Sequence, residues 1–226
     1  MTRPLVISID GMGGDHGPAV VVPGVARAAA TLPEARFILH GDEAALSAEL
    51  ARHAVLKNRA EVRHSDRVIA SDEKPAQALR RGKGTSMWNA VELVKTGEAM
   101  CAISAGNTGA LMAISKLILR MSVDVERPCL VATWPGDKGY TTVLDVGANV
   151  DCDAEQLVEF AIMGEAFHRA AHGVARPTVG VLNIGSEDMK GHEEVRQAHA
   201  LLRGGRFDLD YRGFVEGDDL FKNRVD

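Results

Sequence analysis

Short apolar runs alternate with helical patterns along the chain, and this alternation limits the possible fold more than any other feature. The apolar runs include PLVISID, RFILHGD, AMCAIS and TVGVLNIG, and at least one stretch with helical periodicity separates each from the next. Strands that alternate with helices favour a parallel sheet with helices on both faces. The sequence therefore predicts an α/β fold in a single domain over residues 1–226.

Local signals predict the ends of two helices. A helix often begins at a residue whose side chain accepts a hydrogen bond from the first turn, and it often ends at a glycine. The residues predicted in this way are Thr85 or Ser86 with Gly97 for one helix, and Asp153, Gln156 and Gly173 for another.

Three further segments have local signals of their own. Gly136–Gly139 indicates a hairpin turn, so one strand is expected to run antiparallel. The helix that opens at Pro18 contains Pro23 and Gly24, which predict a kink or a late start. The stretch 106–121 predicts one helix with an apolar face.

Composition excludes several classes of function. The 226 residues are 46% hydrophobic and 25% charged, and the formal charge of −5 gives no sign of general nucleic-acid affinity. Cys101, Cys129 and Cys152 cannot all pair and lie in no metal-binding spacing, so a reduced, cytoplasmic chain without a metal site is expected. No apolar run reaches the roughly 18 residues of a membrane-spanning helix, and MTRPLVISIDG lacks the pattern of a signal peptide.

Glycine-rich or polar loops follow four of the predicted strands. They are DGMGGDHG, SAGNTGA, DVGANVD and NIGSEDMKG. In an open α/β sheet, ligands bind beyond the carboxyl ends of the strands, so four such loops on one edge predict a common site. The candidate substrate-binding residues in these loops are Gly13, Gly14, Ser104, Gly106, Asn107, Thr108, Asp145, Asn149, Asn183, Glu187 and Asp188.

SAGNTG is the strongest anion-binding candidate among the four loops. Ser104, Asn107 and Thr108 offer side-chain donors, and Gly106 lets the main chain approach a ligand. The helix that follows would supply free N–H groups and the positive end of its dipole. The alternative is that Asn107 or Thr108 only caps this helix.

DGMGGDHG does not match the dinucleotide-binding fingerprint. GxGxxG counted from Gly11 requires a glycine where His16 stands, and Asp10 and Asp15 would repel a pyrophosphate. We interpret the loop as an acid–base wall of the site, with His16, Asp10 and Asp15 as candidate catalytic residues. The alternative is a tight glycine turn in which Asp15 caps the next helix.

Two cationic features stand out in this acidic chain. Lys190 is the cation of the four loops, and it is predicted to be the counter-charge of a bound phosphate, with a solvated lysine as the alternative. Arg80, Arg81 and Lys83 form a basic cluster, which is either a solvated patch or a docking surface for an acidic partner. The spacing of a Ser–His–Asp triad or a GxSxG elbow is absent, so the sequence does not support a covalent acyl-enzyme.

Four segments in order closely resemble the signature blocks of the PlsX family of bacterial phosphate acyltransferases. They are DGMGGDHGP, CAISAGNTGALMA, VLDVGANVD and LNIGSEDMKG, and LRRGKGTSM, RPCL, FAIMG and FVEGDDLF continue the match to the last residues. The resemblance implies transfer of a long-chain acyl group from acyl carrier protein to inorganic phosphate, which gives acyl phosphate for phospholipid synthesis.

The resemblance also implies a fold and an assembly. The fold is a Rossmann-like, three-layer α/β/α sandwich with a mostly parallel sheet, related to isocitrate and isopropylmalate dehydrogenases and to phosphotransacetylases. No cofactor and no obligatory metal are implied. Members of the family are cytoplasmic homodimers that associate peripherally with the inner face of the cell membrane.

The chain departs from the family pattern in two ways. Family members more often carry alanine where Gly11 and Gly17 stand, which is a change between small residues. They also continue beyond FKNRVD into a further strand, a glycine-containing loop and amphipathic helices. A truncated chain is therefore expected to lack the region of membrane association, to expose apolar surface, and to be inactive or weakly active.

Roles can be assigned to the candidate residues on the assumption that phosphate itself is the nucleophile. Phosphate is placed near SAGNTG and the helix after it, with Lys190 as counter-charge. His16 would protonate the leaving thiolate or donate to the oxyanion, and Asp10 or Asp15 would orient His16 or Lys190. Acyl carrier protein, which is acidic, would dock on Arg80, Arg81 and Lys83.

Three alternatives remain from the sequence. They are phosphotransacetylase-like transfer from acyl-coenzyme A, a nicotinamide-dependent decarboxylating dehydrogenase of the same fold, and an inactive phosphate-binding fragment.

Overall fold

The computed structural model describes residues 4–123, 125–185, 187 and 189–226. The contacts divide the chain into two units, Met1–Met121 and Ser122–Asp226. A single domain over residues 1–226 therefore stays a prediction. No helix in the described ranges combines the length and the apolar composition needed to cross a bilayer.

The first unit is built around a parallel sheet. Its strands are β1 (Val6–Asp10), β2 (Arg36–Gly41), β3 (Ala60–His64) and β4 (Cys101–Ile103). They lie in the order β3-β2-β1-β4 with every pairing parallel, and Ile9 lies opposite both Leu39 and Ile103. The parallel arrangement expected from strand–helix alternation is confirmed in this unit.

Helices of the first unit pack around two apolar clusters. The helices are α1 (Pro18–Thr31), α2 (Glu43–Leu50), α3 (Pro75–Arg81), α4 (Ser86–Thr96) and α5 (Thr108–Leu119). Val22 of α1 and Leu46 of α2 are fully buried in the first cluster. Met87 of α4 and Ile114 of α5 anchor the second.

The alternation of side chains along β1 decides which residues reach the site. Ile7 and Ile9 belong to the cluster formed with α1 and α2. Successive side chains point to opposite faces of a sheet, so Ser8 and Asp10 project to the other face. Both are buried, with Ser8 fully inaccessible, although both are polar. A buried polar strip therefore leads to the carboxyl end of β1.

The second unit contains a hairpin, a parallel strand pair and two long helices. The elements are β5 (Val131–Gly136), β6 (Gly139–Leu144), α6 (Ala154–His172), β7 (Thr178–Leu182), α7 (Glu193–Arg203) and β8 (Asp210–Val215). β5 and β6 are antiparallel, and β7 and β8 are parallel. Val158, Ala198 and Phe214 are buried in the cluster that joins α6 and α7 to the β7–β8 pair.

Asp226 connects two strands of the second unit. Its main-chain carbonyl accepts from the N–H of Thr142 in β6 at 2.7 Å, and its N–H donates to the carbonyl of Thr178 in β7 at 3.2 Å. Its carboxylate also accepts from the N–H of Thr178 at 2.8 Å. β6 and β7 are thus linked through the main chain of one residue.

Most predicted element boundaries are confirmed. Thr85 caps α4 and Gly97 ends it, Asp153 and Gln156 form the capping box of α6, Gly173 ends α6, and Gly136–Gly139 is the hairpin turn.

Two predictions about helix bounds are wrong. α1 does not start late: it is one helix from Pro18 to Thr31 with Pro23 inside it, because Val22 and the residues after it bury one face against the sheet. The alternative of a kink at Pro23 stays a prediction. α5 begins at Thr108 and ends at Leu119, so it is shorter at both ends than the predicted stretch 106–121.

Candidate functional site

Asp10 and Ser104 meet at the carboxyl edge of the first sheet. β1 and β4 are neighbours, so the loops that follow them start side by side. Asp10 is 2% exposed, and its Oδ2 accepts from the hydroxyl of Ser104 at 2.7 Å, while Oδ1 faces the N–H of Met12 at 3.3 Å. Ser104 Oγ in turn accepts from the N–H of Gly106 at 3.0 Å. The carboxylate therefore fixes the serine, and the serine fixes the loop before α5.

Two glycines allow these loops to touch. A Cβ added to Gly13 would lie 2.9 Å from both Asp10 Oδ2 and the main-chain nitrogen of Gly106. A Cβ on Gly106 would lie 3.0 Å from the Met87 side chain and 3.2 Å from Ser104 Oγ. Contacts under 3.0 Å are not tolerated without movement, so the loop after β1 and the loop after β4 pack main chain against main chain.

The N-terminus of α5 offers unpaired donors beside this contact. Among the residues described, the N–H groups of Asn107, Thr108 and Gly109 have no hydrogen-bond partner, and the exposed Thr108 hydroxyl has none either. The first N–H groups of a helix carry a partial positive charge and bind anions. This terminus, which begins four residues after Ser104, therefore has the free donors that an anion site requires.

Asn107 is committed to structural hydrogen bonds. Its Oδ1 accepts from the N–H of Ala110 at 2.9 Å, which is the helix cap. Its Nδ2 faces the carbonyls of Ala70, Ser71 and Glu73 at 3.4, 3.0 and 2.8 Å. Both ends of the amide are occupied, which favours the alternative that Asn107 caps the helix, with its main-chain N–H left for a ligand.

The rest of the glycine loop is exposed. Asp15 and His16 both face solvent, and Asp15 Oδ1 lies 3.4 Å from the hydroxyl of Ser71. The alternative that Asp15 caps α1 is wrong, because the cap is Gly17 at φ 49°, with no side-chain bond. Gly14 also has a positive φ of 83°. The side chain of Asp10 contacts Ser104 and Met12 rather than His16, so orientation of His16 by Asp10 is not seen.

Sequence reasoning missed His40, which lies beside the site. In β2 it is opposite Asp10, and it is 1% exposed with Nε2 3.1 Å from Ser8 Oγ. Its Nδ1 has no partner among the described residues. Burial, and then the nearby Arg63 charge, lower the pKa of His40 to about 4. A histidine within an apolar strand pattern gives no signal of this in the sequence, since its burial depends on tertiary packing around β2.

In the second unit, Asp145 organises the loop after β6. Its carboxylate accepts from the N–H groups of Leu130, Ala148 and Asn149 and from the Asn149 side chain, at 2.7 to 3.2 Å. Burial opposes ionisation, but these donors outweigh it and hold the pKa of Asp145 below its usual value. Asn149 Nδ2 also donates to the carbonyl of Pro128 at 3.0 Å. Both predicted residues therefore stabilise their own loop.

The loop after β7 is closed by Asn183. Its Nδ2 donates to the carbonyl of Lys190 at 3.0 Å, and its Oδ1 accepts from the N–H of Ile184 at 2.9 Å. Lys190 Nζ is exposed and pairs with Glu187 at 2.9 Å, which raises the pKa of Lys190 and lowers that of Glu187. Asp188 lies outside the described residues. The role of Lys190 as counter-charge to a phosphate stays a prediction.

The basic cluster of Arg80, Arg81 and Lys83 is exposed at the end of α3. Arg67 braces it, donating to the carbonyl of Arg81 at 3.3 Å and to that of Lys83. A cleft of 680 Å³ adjoins the cluster, between the segment 66–73, α3 and Thr85.

Other chemistries receive no support from the described residues. None of them forms a group of three or more His, Cys, Asp or Glu side chains suited to a metal ion. Burial raises the pKa of the thiols of Cys101, Cys129 and Cys152, which disfavours the reactive thiolate.

Comparison with known proteins identifies the family. Residues 5–226 match the family described as fatty acid synthesis protein. The chain belongs to this family. It is 75% identical over 226 residues to a phosphate acyltransferase of Phenylobacterium zucineum (strain HLK1) and 67% identical to one of Caulobacter vibrioides. The resemblance to phosphate acyltransferases is confirmed.

The chain spans less than two thirds of the length of those relatives. The matches cover 100% of the chain but 65% of the Phenylobacterium protein and 63% of the Caulobacter protein. Among solved structures, a phosphotransacetylase from Streptococcus pyogenes has a TM-score of 0.67 at 19% identity, over 95% of this chain and 69% of the other. The EutD phosphotransacetylase from Staphylococcus aureus has a TM-score of 0.64 at 17% identity, over 92% and 67%. These likenesses confirm the predicted α/β fold class.

Proposed function

We propose that this chain carries the phosphate site of a phosphate acyltransferase, which moves an acyl group from a thioester to inorganic phosphate and releases acyl phosphate. The observation that carries the proposal is the set of free N–H groups at the start of α5, next to the buried Asp10–Ser104 pair. The names of the 75% and 67% identical relatives support the same reaction.

Phosphate binds at the N-terminus of α5 in this proposal. The N–H groups of Asn107, Thr108 and Gly109 and the hydroxyl of Thr108 donate to its oxygens. Phosphate is already an anionic nucleophile, so no side-chain nucleophile is needed, in agreement with the raised thiol pKa values. Holding it against a thioester carbonyl supplies proximity, which is a large part of such catalysis.

Asp10 and Ser104 position the loop rather than react. The Ser104 hydroxyl donates to Asp10 and accepts from the N–H of Gly106, so it sets the path of the main chain into α5. One phosphate oxygen attacks the carbonyl carbon, the carbonyl oxygen becomes an oxyanion, and collapse expels the thiolate. His16, exposed on the neighbouring loop, donates a proton to the leaving thiolate, and Lys190 supplies positive charge.

The finer parts of the proposal come from the family resemblance. The acyl donor is long-chain acyl carrier protein, which docks on the basic cluster, and the product enters phospholipid synthesis. The enzyme is a cytoplasmic homodimer that associates with the membrane through residues that this chain lacks. Residues 1–226 form one α/β domain of that enzyme.

The test measures acyl phosphate formed from long-chain acyl carrier protein and radiolabelled phosphate by this chain joined to the part of the Phenylobacterium relative that it does not cover. Ser104→Ala and Asp10→Asn should each lower the rate about 10²-fold to 10³-fold, because they release the loop that holds the phosphate donors. As a control, Thr96→Val at the C-terminal end of α4 should leave the rate unchanged. Full activity in Ser104→Ala and Asp10→Asn would refute the assignment.

A further inference from the structure

The cleft beside the basic cluster has a polypeptide main chain as one wall. Its volume of 680 Å³ lies within the range of pockets that enclose small organic ligands. The segment 66–73 belongs to no helix and pairs with the rest of the unit through one bridge, from Arg67 to Thr85. Ile69 is 7% exposed and anchors the segment, while Val68 and Ala70 on either side of it are exposed.

The main-chain groups of this wall are open. Within the described ranges, the N–H groups of Val68, Ile69 and Ala70 and the carbonyls of Val68 and Ile69 have no hydrogen-bond partner. A ligand with amide groups of its own can bind to such a backbone as an added strand does, by exchanging N–H···O=C bonds.

The charges of the cleft disfavour a strongly anionic ligand. The ionisable side chains that line it are those of Asp66, Arg67, Asp72, Glu73 and Arg81. Carboxylates outnumber guanidinium groups, and the guanidinium of Arg67 already donates to the carbonyls of Arg81 and Lys83. A neutral ligand with hydroxyl and amide groups suits this lining better than free phosphate does.

Both ends of the segment adjoin parts of the proposed reaction. At one end Asn107 holds the carbonyls of Ser71 and Glu73 at 3.0 and 2.8 Å, so the segment is fixed to the start of α5. The Ser71 hydroxyl lies 3.4 Å from Asp15 of the glycine loop. At the other end stands the exposed basic cluster.

We propose that this cleft binds the pantetheine arm of the acyl donor, the neutral, amide-containing chain that acyl carrier protein and coenzyme A share. The proposal rests on the proposed acyl transfer and gives its donor a binding site. The arm lies along Val68–Ala70 and hydrogen-bonds to their open main-chain groups. Its thioester end then reaches the start of α5, and its phosphate end reaches the basic cluster.

The test is a titration of this chain with S-methylpantetheine, followed by the amide signals in ¹⁵N-resolved NMR spectra. The thioether cannot exchange with the exposed Cys101. We expect saturable shifts at the amides of residues 68–71, and none with 2-(methylthio)ethanol, which has no amide. Saturable shifts at other residues only, or none at all, would overturn the proposal.

A matched pair of variants isolates one hydrogen bond. Val68→Pro removes a main-chain N–H, and Val68→Ala shortens the side chain but keeps that N–H. The dissociation constant for S-methylpantetheine should rise about 5-fold in Val68→Pro relative to Val68→Ala. Equal affinities in two folded variants would contradict the proposal. If Val68→Pro does not fold, the titration of the unaltered chain decides.

Assays with acyl carrier protein and coenzyme A thioesters of one acyl chain separate this proposal from the proposed function. Pantetheine binding without acyl phosphate from either donor, even when this chain is joined to the part of the Phenylobacterium relative that it does not cover, would keep the cleft and refute the function. Acyl phosphate formation without pantetheine-dependent shifts would support the function and refute the proposed role of the cleft. The KM values of the two thioesters distinguish acyl carrier protein from coenzyme A as the donor, since the true donor should give the lower KM.

Discussion

Burial of His40 gives the first unit a stability that depends on pH. The pKa falls from its ordinary 6.5 to about 4 in the folded chain, so the unfolded chain binds the proton first as the pH falls. The contribution of His40 to the free energy of unfolding is therefore fully present above pH 6.5 and is lost between pH 6.5 and about 4. The loss reaches about 3 kcal/mol. The free energies of unfolding in urea at pH 7 and at pH 4.5 measure most of this loss.

His40→Gln removes this titration and should flatten the pH dependence of the unfolding midpoint. His192→Gln changes an exposed histidine in the second unit and serves as the control. The same slope in His40→Gln and in the unaltered chain would contradict the burial argument.

At the residue scale, the sequence could predict that candidate side chains gather at the carboxyl edge of the first sheet, but not how they pair. Asp10 and Ser104 were both candidates, yet their hydrogen bond joins residues 94 positions apart and follows from the adjacency of β1 and β4. Asn107 was predicted as a donor or a cap. Its bonds to Ser71 and Glu73 could not be predicted, because the path of the segment 66–73 follows no periodic pattern.

At the element scale, the contact between the two site loops limits the size of the side chains at Gly13 and Gly106. Gly13→Ala should destabilise the chain by about 1–3 kcal/mol, because the new methyl group meets Asp10 and the main chain of Gly106. Gly24→Ala is the control: nothing lies within 4 Å of a Cβ there, and an alanine inside α1 should stabilise by about 0.5–1 kcal/mol. Chemical unfolding of both variants measures the difference. Equal stabilities would show that the loops separate easily.

The Asn107 side chain caps α5 and also holds the segment 66–73, and one substitution can separate these two roles. Asn107→Asp keeps the acceptor that caps α5 but replaces the donor with an oxygen that faces the carbonyls of Ser71 and Glu73. Hydrogen exchange should become at least several-fold faster at residues 70–73 while α5 keeps its protection. Exchange that stays slow throughout would show that Asn107 does not hold the segment.

Element boundaries followed the sequence where a side-chain cap or a glycine fixed them. Asp153 and Gly173 bound α6 as predicted, since these signals act within one turn. The late start suggested by Pro23 and Gly24 does not occur, because burial of Val22 and its neighbours outweighs the hydrogen bond lost at Pro23. Tertiary packing of this kind cannot be read from a local pattern.

At the scale of the whole molecule, net charge determines where the proposed acyl carrier protein can dock. The chain has a net charge of −5, so an acidic partner is repelled except where the basic cluster lies. Reversal of Arg80, Arg81 and Lys83 to Glu should raise the KM for acyl carrier protein about 10-fold at low salt. The difference should shrink above 0.1 M salt, where the Debye length is about 10 Å. Lys95→Glu on α4 is the control, and a KM unchanged by the triple reversal would remove the docking site.

Length is the second property of the whole molecule with a measurable effect. The chain covers 65% of the Phenylobacterium relative. A chimera that joins this chain to the uncovered part of that relative should form acyl phosphate at least about 100-fold faster than this chain, because small losses of positioning cost that much. Equal rates would show that residues 1–226 are sufficient.

The close approach of Gly13 and Gly106 has a consequence for protein engineering. The shape of each loop limits the shape of the other. A library that randomises one loop alone therefore contains many variants that clash with the opposite loop. Selection for a new acceptor in place of phosphate should therefore vary both loops together, and beneficial substitutions should be strongly non-additive.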